Sequence, residues 1–177
     1  MDVFVCGPRG GVIKDAETVK TIENATTFFA KLLRLHTKRV RIEIRLCNKK
    51  QLSGAYGDCE YIHNTDINTV LIRIAKHSDP KNPLGPKHNG IGILAHELCH
   101  AIQYVNKRLV EEENGTYWSY SYTKGANRYL YDYAKHASSD TEHSLEVARI
   151  YEAPWEVEAY AQGAVLFRAW KLYGKNT

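Results

Sequence analysis

The sequence predicts an α+β fold: one compact domain over residues 1–177, in which a small sheet is flanked by helices. Three observations carry this. Charged and apolar residues alternate over residues 39–46, a β-branched apolar run fills residues 69–75, and elsewhere apolar residues recur at three- and four-residue steps. At 177 residues and 44% hydrophobic content, the chain can build a core without disulfide staples.

Each element follows from its pattern. Residues 16–36 read as an amphipathic helix whose buried side is Val19, Ile22, Phe29, Leu32 and Leu33, laid over the sheet. The alternating segment puts Val40, Ile42, Ile44 and Leu46 on one face of a half-buried strand. A turn-rich stretch over residues 53–58 precedes the second strand. Residues 78–87 contain three prolines and a glycine, so they form a loop at a cleft rim and not a domain linker. A further helix begins after Asn89, read as its N-cap, with Ile91, Leu94, Leu98, Ile102 and Val105 as one apolar stripe. Residues 111–115 end that helix or open a loop. Tyr117, Trp118, Tyr120, Tyr122, Tyr129, Tyr131 and Tyr133 then crowd a short interval, where they can fill a small core, line a groove or stack bases. Pro154 starts a last helix with carboxylates in its first turn.

The chemistry concentrates in His96-Glu97-Leu98-Cys99-His100. On a helix this spacing sets two imidazoles one turn apart with a carboxylate beside them, the arrangement that binds zinc and activates water. Both histidines fall off the apolar stripe, on a flank shared with Gly92 and Gln103, so they point into a cleft beside the core. The plainer alternative is a pair of surface or capped core histidines with a solvated Glu97. Catalytic zinc usually takes three protein ligands, and the third candidate lies in Pro154-Trp155-Glu156-Val157-Glu158-Ala159-Tyr160-Ala161. Glu156 and Glu158 diverge by about 200° on a helix, so only one can face the metal, and spacing alone leaves both open. Favourable placement near the helix dipole is the ordinary explanation for such a carboxylate.

His96-Glu97-x-x-His100 followed by a helical Glu-x-x-Ala resembles the gluzincin branch of the zincin metallopeptidases. The segment Pro154–Tyr160 is similar to one found in small metallopeptidase-type proteins, many of them from bacteriophages. The resemblance covers about residues 40–165, and only its two motifs are specific. It implies a zincin-like fold with the His-Glu-x-x-His helix at its centre, zinc held by His96, His100 and Glu156, and Glu97 as general base. It also implies that the strand before that helix, at Val70 to Ile74, is an edge that pairs with an extended peptide; a sheet strand without substrate contact is the alternative. One departure stands out: members often carry an Asp directly after the alanine as a partner to a histidine, and this chain has Tyr160.

Composition limits the rest. A net charge of +4 does not by itself argue for nucleic acid, and no nucleic-acid motif accompanies the tyrosines. Cys6, Cys47, Cys59 and Cys99 show no Cys-x-x-Cys spacing, which favours free thiols in a reducing compartment, and Cys99 lies about 100° around the helix from His100, off the metal side. No signal peptide or membrane-length run is seen, so a cytoplasmic protein is expected, and Asn24 and Asn114 matter as glycosylation acceptors only in a secretory pathway. Tyr151 is a core tyrosine or a donor to an oxyanion. The expected function is zinc-dependent hydrolysis of a peptide bond, with peptidoglycan amide hydrolysis as a variant. A zinc-stabilised binding module or interaction protein without turnover is the alternative from another class.

Overall fold

Alternation builds the main sheet, and the charge on its second face decides how it is covered. The computed structural model describes residues 1–64, 66–78, 84–85, 89–121, 128–131 and 153–174. Its strands are β1 (Asp2–Cys6), β2 (Val40–Cys47), β3 (Gly57–Ile62), β4 (Asn68–Ala75), β5 (Leu109–Glu112), β6 (Gly115–Trp118) and β7 (Tyr129–Leu130). The helices are α1 (Ala16–Leu32), α2 (Asn89–Val105) and α3 (Pro154–Tyr173). β1, β2 and β4 run parallel and β3 closes one edge antiparallel, in the order β1-β2-β4-β3; β5-β6-β7 form a small antiparallel sheet. The architecture is mixed α+β, as expected.

Register puts Ile42 beside Val70, Ile44 beside Ile72 and Leu46 beside Ile74. These pairs share a core with Ile22 and Phe29 of α1 and with Ile91, Leu94 and Leu98 of α2. Each fully buried isoleucine or leucine contributes about 1.5–3 kcal/mol by leaving water. The opposite face carries Arg41, Glu43, Arg45 and Arg73, with Arg45 bonded to Glu43 at 2.6 Å and Arg73 to Asp58 at 2.7 Å. A face that keeps charges beside one another suits solvent better than a second helical layer.

Several expectations shift. α1 stops at Leu32, Arg34 takes a left-handed conformation, and a short 3-10 turn over Leu35–Thr37 returns Leu35 to the core. Leu32 is therefore exposed instead of buried. Asn89 is the first helical residue, and the position before it lies outside the described residues. Residues 111–115 turn a hairpin between β5 and β6. The expected edge role of Val70 to Ile74 is overturned, because β4 pairs with β2 on one side and β3 on the other and has no open ladder to offer. β3 is the edge beside α2.

A smaller core joins the second sheet to α3 through Leu109, Trp118, Ala153 and Trp155, with Tyr131 edge-on to Trp155 at 4.8 Å. Trp118 and Tyr131 thus fill a core, while Tyr120 and Tyr129 are exposed. Tyr122, Tyr133 and Tyr151 lie outside the described residues. No described helix is long and apolar enough to cross a membrane.

Candidate metal centre

The apolar stripe of α2 faces the core, and this rotation aims two other flanks at neighbouring elements. His96, His100 and Gln103 stand at i, i+4 and i+7 on the flank toward α3. Glu97, about 100° further round, faces β3. α3 meets α2 through a matching row, Glu156, Ala159 and Gly163. Ala159 is fully buried, and a Cβ at Gly163 would lie 3.0 Å from His96 Cα and 3.1 Å from its backbone nitrogen. Only glycine allows the helices this close. Pro154 opens α3 at a position with no N–H to lose, so Glu156 falls in the first turn, opposite the histidines.

The two imidazole Nε2 atoms are 3.1 Å apart. Glu156 Oε2 lies 3.3 Å from His96 Nε2, and Glu156 Oε1 lies 3.3 Å from His100 Nε2. His96, His100 and Glu156 thus form a group able to hold a metal ion. Donors bonded to one tetrahedral ion at about 2.0–2.2 Å stand about 3.3–3.6 Å from one another, close to the separations seen. Electron-pair donors crowded so tightly repel unless a proton or a cation lies among them. In the metal-free protein the proton takes that place. Burial, the largest single effect, would lower the His100 pKa, but the bond to and charge of Glu156, the charge of Glu97 and the bond to Gln103 together raise it; burial raises the Glu156 pKa, but the bonds and charges of both histidines bring it down to about 2.

Glu97 is 5% exposed, and no hydrogen bond from the described residues reaches its carboxylate. Burial pushes its pKa up to about 8; His100 draws it down, and the charges of Glu156 and Asp58 add to the rise. The edge strand makes room for it. A Cβ at Gly57 would sit 2.6 Å from Glu97 Oε1 and 2.5 Å from Ile93 Cγ2, so glycine at the start of β3 lets strand and helix touch over this carboxylate.

Glu158 turns to another partner. It forms a two-pronged ion pair with Arg108 at 2.6 and 2.8 Å, and Arg108 Nε donates to the Ser119 carbonyl at 3.0 Å. Where the resembled family often has an acidic residue, Tyr160 lays its ring 4.4 Å from that of His96. His96 Nδ1 is buried without a hydrogen-bond partner among the described residues. His100 Nδ1 instead meets Gln103 Oε1 at 2.9 Å, a contact signalled in sequence only by the flank Gln103 shares with the histidines. Cys99 donates its thiol to the Ala95 carbonyl within α2, away from the cluster.

Comparison with protein-family models, curated proteins and solved structures finds no match to this chain.

Proposed function

We propose that the chain is a zinc-dependent hydrolase, a zincin-type metallopeptidase, with His96, His100 and Glu156 as the metal ligands and Glu97 as the general base. The observation that carries this is the convergence of two imidazole nitrogens and one carboxylate beside a second, buried carboxylate. Two nitrogens and one oxygen suit zinc, and three protein donors leave a position open, whereas structural zinc closes its shell with four. A bound zinc ion supplies Lewis acidity, polarising a carbonyl and acidifying water near neutral pH.

The chain's own groups do the rest. Glu97 stands buried beside the cluster, and in its ionised form it takes the proton of the attacking water and returns it to the amine nitrogen as the C–N bond breaks. Gly57 holds β3 against Glu97. An extended peptide adds its backbone to the outer edge of β3, which brings its carbonyl past the cluster.

The zinc-loaded protein is expected to cleave an unstructured peptide library, to stop when chelated, and to recover with added zinc. Glu97→Gln keeps the metal and loses about a hundredfold or more of the rate. Equal cleavage by wild type and variant removes Glu97 from its role. Zinc binding without cleavage of any peptide supports the alternative, a metal-stabilised binding module.

A further inference from the structure

We infer that Gln103 is a positioning residue that fixes His100 in the Nδ1–H form, so that its Nε2 lone pair faces His96 and Glu156; this rests on the metal-site reading above. A side-chain amide can turn either end to a histidine, and here its surroundings decide which. Gln103 is 1% exposed, and its other end lies 3.0 Å from the Trp155 carbonyl oxygen and 3.4 Å from Glu158 Oε1. A carbonyl and a carboxylate only accept, so the end facing them is the donating NH2. The end facing His100 is the oxygen. The charged ring can donate to Glu156 at 3.3 Å as well, but in the neutral ring the shorter 2.9 Å contact keeps the proton on Nδ1 and Nε2 is the nitrogen left bare.

The chain of contacts continues outward. Glu158 is held by both terminal nitrogens of Arg108, itself 4% exposed, and Arg108 is anchored on Ser119 just past β6 and lies over the Trp118 ring at 4.4 Å. The first turn of α3 therefore does two jobs: Glu156 meets the histidines directly, while Trp155 and Glu158 orient the amide behind one of them. This assigns Glu158 a part in the site although it does not face the cluster. The two histidines thus differ: His100 is supported from α2 itself, while His96 packs against the Tyr160 ring. Outer partners of this kind typically change metal affinity by about 10–100-fold when removed.

The test reads the tautomer and the affinity separately. In wild-type metal-free protein with nitrogen-15-labelled histidine, long-range proton–nitrogen NMR above the imidazole titration is expected to show His100 protonated at Nδ1. Gln103→Met keeps the volume and removes the acceptor. It is expected to give mixed tautomers and zinc binding weaker by about 10–100-fold in competition with a chromophoric chelator, with thermal unfolding recorded beside it. A purely structural role would lower the melting temperature and leave the tautomer alone. An Nε2–H form in wild type, or zinc affinity within twofold in a folded Gln103→Met protein, overturns the proposal. If the variant does not fold, the wild-type tautomer decides. If wild type takes up no zinc, the hydrolase proposal fails by itself and the tautomer still judges Gln103.

Discussion

At the scale of single residues, Gly57 and Glu97 form the tightest dependency. The missing Cβ of Gly57 is what keeps the Glu97 carboxylate under the edge strand, and the atoms a methyl would meet belong to side chains, the Ile93 Cγ2 methyl and the movable Glu97 carboxylate, and not to backbone. Gly57→Ala is therefore expected to fold, at a cost of about 1–3 kcal/mol, with Glu97 displaced. Misplacing a reacting group by about 1 Å can cost on the order of a hundredfold in rate. Peptide cleavage should fall at least tenfold while zinc affinity changes far less, and unchanged cleavage in a folded variant would contradict the placement of Glu97. The motif residues themselves were legible in the sequence, because His96, Glu97, His100 and Glu156 each sit in a short window with helical spacing. Gln103 was visible only as a neighbour on the same flank. The Arg108–Glu158 pair joins residues 50 apart, so no local pattern announces it.

At the scale of elements, the centre depends on how closely α3 lies against α2. Gly163 stands seven residues after Glu156, so both fall on one face about 20° apart. The atoms its Cβ would meet belong to the His96 backbone and cannot rotate away. Gly163→Val should push the helices apart, lower zinc affinity at least tenfold by carrying Glu156 off the histidines, and reduce stability. Val165→Ala, on the exposed side of α3, should do neither. Equal zinc affinity in both variants would show that the helix contact does not set the site. β2, β4, α1 and α2 were readable because each repeats its burial pattern along its own length. β3 was not, since its alternation over Asp58-Cys59-Glu60-Tyr61 is only four residues long and begins inside the turn-rich stretch over residues 53–58. The position of β4 inside the sheet depends on strand order, which pairings distant in sequence decide.

At the scale of the whole molecule, the centre couples stability to pH and metal. In the metal-free protein the depressed Glu156 pKa adds stability that is present above about 4.5 and is lost as pH falls toward 2. The raised His100 pKa adds stability that is present below about 6.5 and is lost as pH rises through its folded value. Glu97 acts in the same direction: its raised pKa favours the fold below about 4.5, and that advantage disappears as pH rises toward 8. Metal-free protein should thus be most stable near pH 4.5 and lose stability on either side. Zinc competes with protons for the same nitrogens, so the melting temperature gained on adding zinc should grow from pH 5.5 to 8. A gain independent of pH would place the ion elsewhere.

The most direct measurement is elemental analysis of metal-free protein after zinc reconstitution and exhaustive dialysis. Wild type is predicted to retain one zinc ion per chain, and a His96→Ala, His100→Ala double variant to retain essentially none. A wild type that holds no zinc, or a double variant that holds as much as wild type, would contradict the assignment of His96, His100 and Glu156 as a metal centre.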